Sequence, residues 1–340
     1  MGERVLVTGA AGFIGYHVCR RLLIDRYDVI GFDNLNSYYD ISLKEDRITN
    51  LINLEKKDGI LWEFIKGDLE NKSLLLELFE KYQPNIVINL AAQAGVRYSL
   101  ESPESYISAN LVGFSNILEC CRVTKIKHLI YASSSSVYGA NSKIPFSEND
   151  MVDKPISLYA ATKKSNELMA HSYSHLYNFP STGLRLFTIY GPWGRPDMAP
   201  MIFTKAIIER KPLKIFNQGN MSRDFTFIDD AVEYIIRLIN KIPRKNSETK
   251  DDKENLIAPA RIVNIANGNK VNICEFISLI EKELNIKAIK VFEDMQKGDV
   301  RITSANKELI ESLTNYKPLY PMQEGIKKFI NWYKTYYCVN

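Results

Sequence analysis

Cysteine and histidine are scarce in this chain of 340 residues, which holds five of the first and four of the second. Cys19, Cys120, Cys121, Cys274 and Cys338 form an odd set without a CxxC pair, so neither a disulfide framework nor a thiolate metal site is expected. A reducing, cytoplasmic compartment follows as the simplest setting. His171 and His175 stand four apart, a possible ligand spacing, but no carboxylate motif accompanies them, and His17 and His128 lie elsewhere. No metal is expected. Long apolar runs are missing too: no stretch of about 18 apolar residues occurs, and MGERVLVTGAAGFIG lacks a basic region followed by an apolar one. Neither a membrane span nor a cleaved secretion signal is expected, and Leu6 stands where a myristoylation motif on Gly2 wants Ser or Thr. Charge of one sign is not concentrated either. The 44 basic and 40 acidic residues are mixed along the chain, which excludes a nucleic-acid footprint.

What is present is the composition of a soluble globular protein, 45% hydrophobic and 25% charged, with length for one large domain or two medium ones. RVLVTGA is a short apolar run meeting a glycine turn, and FIGYHVCRRLLID then places Ile14, Val18, Leu22 and Leu23 at helical spacing. A second apolar run, YDVIGFDN, closes a βαβ unit. Strands LWEFIKGD, PNIVINLAA, KHLIYAS and STGLRLFTIYG then alternate with helices NKSLLLELFEKY, SYISANLVGFSNILECCRVT and LYAATKKSNELMAHSYSHLY. Alternation with strands apolar on both faces predicts an α/β fold with a Rossmann-type, doubly wound parallel sheet. After about residue 190 the regularity weakens. The expected division is a dinucleotide-binding domain over 1–180, its sheet completed by later strands, and a smaller C-terminal α/β substrate-binding domain over 181–340. Within the latter, 244–260 is polar and charged and reads as an exposed loop.

Gly9, Gly12 and Gly15 form G-x-x-G-x-x-G between a strand and a helix, with Phe13 and Ile14 opening that helix. The spacing differs from the standard G-x-G-x-x-G, yet it lets the backbone turn tightly and approach a pyrophosphate at a helix N-terminus. Asp33 ends the second strand, with Asn34 after it, where a carboxylate accepts hydrogen bonds from ribose hydroxyls and repels a 2′-phosphate. NAD is therefore expected rather than NADP. Asp68 and Leu69, at the next strand end, are placed to meet adenine, although a strand-end Asp can equally cap a helix.

Tyr159 and Lys163 stand four apart and share a helix face. A lysine ammonium near a phenol favours phenolate, so the pair can take and return a proton. Alone such a pair is common. Here it follows a glycine turn, an acidic strand end and a serine-bearing strand end in the order of a nucleotide-binding sheet.

With VTGAAGFIG, GDLE, YASSSSVYG, YAATKKSNE, LRLFTIYGPWGRPDMA, RDFTFIDD and KGDVRIT in place, nearly the whole chain resembles the extended short-chain dehydrogenase/reductase family. Within it, DNLNSYYDISLK, AAQAGVRYSLE and GPWGRPDM are most similar to UDP-glucuronate 4-epimerases. The resemblance implies that Ser134, Tyr159 and Lys163 are catalytic, and that Leu90, Ala91, Ala92 and Gln93 lie along the nicotinamide. It implies a tightly held, unconsumed NAD, a UDP-uronic acid substrate, and a homodimer paired through helices near 104–124 and 158–178. Its reaction is C4 oxidation to a 4-keto sugar, which turns over and takes the hydride back on its other face, yielding UDP-galacturonate for surface polysaccharide.

Such an intermediate carries its carboxylate β to a ketone and is prone to lose CO2. Ser134, Ser135 and Ser136, with Thr188, offer hydroxyl donors to that carboxylate without adding negative charge. Relatives that dehydrate or decarboxylate carry an acid near this position; here the serine run has none. Ser133 has no assigned role. Strand-end serines can also simply cap a turn. By the same resemblance Arg223 and Arg301 meet the UDP diphosphate; Arg97 and Arg195 are further candidates for the sugar or its carboxylate, and Phe216 packs either near uracil or in the core. The alternatives are a 4-epimerase of UDP-GlcNAc or UDP-glucose, a UDP-glucuronate decarboxylase, and, in a different class, a non-catalytic NAD-binding regulator.

Overall fold

The computed structural model describes residues 3–58, 61–245, 257–296 and 298–339. The chain opens with β1 (Arg4–Thr8), α1 (Phe13–Ile24), β2 (Asp28–Asp33), α2 (Ile41–Asp58), β3 (Trp62–Lys66), α3 (Lys72–Tyr82) and β4 (Ile86–Asn89). Short helices α4 (Tyr98–Glu101) and α5 (Pro103–Tyr106) lead through a π-helical stretch, Ile107–Gly113, into α6 (Phe114–Thr124), followed by β5 (His128–Ala132), α7 (Leu158–Tyr177) and β6 (Ser181–Leu186). The strands are β-branched and apolar, and β4 and β5 are buried along their whole length, as central strands of a sheet covered on both faces must be.

Beyond β6 come β7 (Thr188–Tyr190), α8 (Ala199–Ile208), β8 (Pro212–Ile215), β9 (Ser222–Phe227), α9 (Ile228–Leu238), β10 (Ala260–Ile265), β11 (Lys270–Asn272), α10 (Ile273–Leu284), β12 (Ile289–Phe292), α11 (Glu308–Thr314) and α12 (Met322–Tyr336). The large sheet has seven parallel strands in the order β10-β6-β5-β4-β1-β2-β3. Its outer strands β6 and β10 come from beyond residue 180. The remaining strands build two small sheets, β11-β9-β7 and β12-β8. Most of the expected loop 244–260 lies outside the described residues, and its last residue, Ala260, begins β10.

One apolar core spans the junction: Val18 and Leu22 of α1 join Val232 and Ile235 of α9, and Phe225 stacks on Phe276 at 4.2 Å. The strand order reverses between β1 and β4, so a crevice opens at the carboxyl ends of those strands. Gly9, Asp33, Leu90 and Ser133 all lie at such ends.

Candidate active site

Every residue expected to contact cofactor or substrate, except Arg301, lines one cleft of about 1010 Å³. That is at the top of the range, about 300–1,000 Å³, usual for small-molecule pockets. The Arg301 side chain is exposed, and its carbonyl accepts from the Ser222 amide at 3.0 Å and from Arg223 Nη1 at 3.2 Å.

At one end lies the glycine turn. Gly9 has φ +72°, and a Cβ there would stand 2.7 Å from the Ala91 nitrogen; one on Gly15 would stand 2.0 Å from the Gly9 carbonyl oxygen. Only bare backbone lets β1, α1 and the exit of β4 come this close. No side chain caps α1 at Gly12, which leaves its positive end to a ligand. Asp33 accepts from the Ala11 amide at 3.1 Å and the Leu35 amide at 2.9 Å. Burial pushes its carboxyl up, against those amides and the charge of Lys44. Asp68 accepts from Asn34 Nδ2 at 3.0 Å, while the cap of α3 falls to Asn71, which accepts from Leu74. These features fit a dinucleotide diphosphate and its adenosine ribose.

The middle of the cleft holds Tyr159. Helix α7 starts there because Ser157 Oγ accepts from the Ala160 amide at 3.1 Å, so Tyr159 sits in the first turn. Burial raises the Tyr159 phenol, and the Ser134 hydroxyl and then the Arg195 charge draw it down. Lys163, expected to act on the phenol, instead donates to the Ala132 carbonyl at 2.9 Å, and burial lowers its ammonium to about 8. Tyr106 meets the Tyr159 ring edge-on at 6.0 Å and donates to the carbonyls of Ala94 and Gly95.

The serine run divides its work. Ser133 Oγ donates to Glu167 at 2.7 Å, within a buried network where Arg185 holds both carboxylate oxygens of Glu167. Ser134 Oγ accepts from the Ser136 amide at 3.1 Å, capping the short 3₁₀ turn Ser135–Tyr138. The local cap and the cleft position therefore coexist in one residue. Ser135, Ser136 and Thr188 line the wall beyond.

Several contributors lie far away in sequence. Asn110, on the π-helical stretch, accepts from the Gln93 amide at 2.9 Å and donates to the Gln93 carbonyl at 3.0 Å and to Thr162 at 3.1 Å, linking that wall to α7. Asp197 holds Arg195 by two hydrogen bonds and accepts from Tyr38 at 3.1 Å. An acid thus enters the cleft from another loop, already neutralised. Lys44 donates to Asn36 beside Asp33. At the far end Arg97 pairs with Asp299 at 3.1 Å and lies over the Phe216 ring, with Arg223 nearby. Among the described residues no group of three or more His, Cys, Asp or Glu is gathered as a metal site. Among the described residues no helix is long and apolar enough to cross a membrane.

Residues 5–266 match the model of the NAD dependent epimerase/dehydratase family. A probable UDP-glucuronate 4-epimerase of Rhizobium meliloti (strain 1021) is 47% identical over 98% of this chain and 98% of its own. UDP-glucuronate 4-epimerase 4 of Arabidopsis thaliana is 45% identical over 99% of this chain and 76% of its own. The crystal structure of UDP-glucuronic acid 4-epimerase from Bacillus cereus in complex with UDP-glucuronic acid and NAD superposes with a TM-score of 0.87, at 34% identity, over 98% of this chain and 100% of that one.

Proposed function

The chain belongs to the NAD-dependent epimerase/dehydratase family, and from that premise we propose that it interconverts UDP-glucuronate and UDP-galacturonate by epimerisation at C4. The observation that carries this reading is the juxtaposition, in one cleft with the glycine turn, of Tyr159 and Ser134 with an acid-free serine run and Arg195.

Tyr159 takes the proton of the C4 hydroxyl and returns it, and Ser134 donates a hydrogen bond at the same oxygen. NAD held by the glycine turn and Asp33 would supply the hydride acceptor and donor for C4. Lys163 fixes the α7 face against the end of β5. Ser135, Ser136, Thr188 and the Arg195 guanidinium hold the uronate carboxylate, opposing its loss as CO2 from the 4-keto sugar. Arg97 and Arg223 serve the diphosphate; Arg301 reaches it only if its exposed side chain swings inward. The glycine turn with Asp33 serves NAD, and the part of the chain beyond residue 180 supplies most of the nucleotide-sugar wall.

A homodimer, a cytoplasmic location and supply of galacturonate to polysaccharide complete the proposal. Pairing is supported by apolar side chains exposed on neighbouring elements: Ile107, Val112, Val123, Leu168 and Leu176. The test is incubation of the purified protein with UDP-glucuronate, without added NAD, resolved by proton NMR. UDP-galacturonate as sole product supports the reading. UDP-pentose and CO2 overturn the role of the serines, and no reaction even with added NAD overturns the substrate.

A further inference from the structure

Arg47, on α2, is among the largest fully buried side chains of the molecule, and among the described residues no carboxylate pairs with it. Burying an unpaired guanidinium is costly, so its surroundings must be arranged for it. Its partners are neutral oxygens on two walls. Nη1 donates to the Ala11 carbonyl of the glycine turn at 2.8 Å and to the Tyr39 hydroxyl at 2.7 Å. Nη2 donates to the Trp193 carbonyl at 2.5 Å and, at 3.4 Å, to that of Gly194.

Those two carbonyls belong to the turn that immediately precedes Arg195. Trp193 has φ +61°, a left-handed conformation that a bulky residue holds only when its surroundings impose it. His17 of α1 holds the neighbouring Pro192 carbonyl at 2.9 Å, and the Trp193 ring packs on Tyr16, Trp332 and Tyr336. The strained turn thus hangs on α1 and α2 of the cofactor half and on the C-terminal helix α12.

We propose that Arg47 is a positioning residue that couples the two ends of the cleft, bracing the Arg195 turn against the glycine turn with one buried guanidinium. Two consequences follow from its chemistry. The positive charge behind the glycine turn, which meets the Asp33 carboxylate only through space and not in an ion pair, favours an anionic diphosphate in front of it. The planar fork, with two nitrogens reaching opposite walls, sets the place of Arg195; a lysine at the same position keeps the charge and cannot span both walls. The second consequence rests on the epimerase reading, because it assumes that Arg195 meets a uronate.

The test compares the holoenzyme with Arg47→Lys and Arg47→Met. NAD retained per chain is measured after gel filtration and denaturing release, KM and kcat for UDP-glucuronate by turnover, and UDP affinity by calorimetry. Arg47→Lys is expected to retain NAD while its KM for UDP-glucuronate rises about tenfold, the scale of a lost charged hydrogen bond, with UDP affinity unchanged. Arg47→Met is expected to lose NAD as well. Wild-type KM in Arg47→Lys overturns the bracing role, and so does a parallel loss of UDP affinity, which marks a merely structural effect. A folded Arg47→Met with wild-type NAD content overturns the electrostatic role; if that variant does not fold, NAD loss in Arg47→Lys overturns it instead. Absence of UDP-glucuronate turnover in the wild type counts against the epimerase reading, and NAD content still decides the cofactor half.

Discussion

The Lys163 ammonium donates to the carbonyl of Ala132 at 2.9 Å, joining the helix that carries Tyr159 to the strand end that carries the serines. Burial lowers this lysine from 10.5 to about 8. In the unfolded chain it therefore binds a proton that the folded, cofactor-free protein releases over the window between those values. Stability contributed by this group is lowest below about pH 8 and rises as pH increases towards 10.5. Urea midpoints of cofactor-free wild type and Lys163→Met, compared at pH 7.5 and 9.5, should shift in favour of the wild type at the higher pH. A difference that does not change with pH would contradict this. Turnover of Lys163→Met should fall by about a hundredfold or more.

Glu167 anchors the back of the same helix. Burial alone would raise its carboxyl, but the hydrogen bonds and charge of Arg185 outweigh this and leave it below the ordinary value. Glu167→Ala strands a buried guanidinium and should cost about 3–5 kcal/mol in chemical denaturation at pH 7, whereas Ser133→Ala should cost about 1 kcal/mol. The wild-type advantage is present above the ordinary Glu value of 4.5 and should shrink as pH falls below it. Equal urea midpoints for wild type and Glu167→Ala would show that the pair adds nothing net.

Ser135 gives a test of specificity. Ser135→Glu places a carboxylate in the wall proposed for the uronate, so KM for UDP-glucuronate should rise about tenfold or more, while UDP-glucose binding, measured by calorimetry, changes little. Equal effects on the two sugars would place Ser135 away from the carboxylate.

Gly9→Ala should abolish cofactor retention. The substitution meets a positive φ and a Cβ approach of 2.7 Å to the Ala91 nitrogen, and relief of either displaces the turn from the exit of β4. NAD released from the denatured variant should fall well below that from wild type, with the circular dichroism spectrum preserved. Undiminished NAD would mean that the turn yields without consequence for the cofactor.

The glycine turn, Asp33, the serine run and the Tyr159–Lys163 pair were legible because each is a local pattern: a turn between periodic segments, a strand end, two residues one helical turn apart. Asp197, Tyr38, Asn110 and Arg47 were not legible. Each has a partner tens to more than a hundred residues away, as in the pairing of Tyr38 with Asp197 or of Arg47 with the Trp193 carbonyl. Periodicity also placed Tyr159 and Lys163 on one helix face without saying what that face docks on. The lysine went to a carbonyl, and the groups that draw the phenol down are Ser134 and Arg195.

By itself the sequence determined the alternation of elements, the doubly wound sheet and which strand ends carry chemistry, because hydrophobic period and glycine placement act over a few residues. Only the tertiary structure decided how the charges are paired. Tyr38 donates to Asp197, Asp299 holds Arg97, and Arg47 donates to neutral oxygens of Ala11, Tyr39, Trp193 and Gly194. Pairing depends on distances of a few ångströms between segments remote in the chain, and those exist only once the sheet order β4-β1 has brought the strand ends to one crevice.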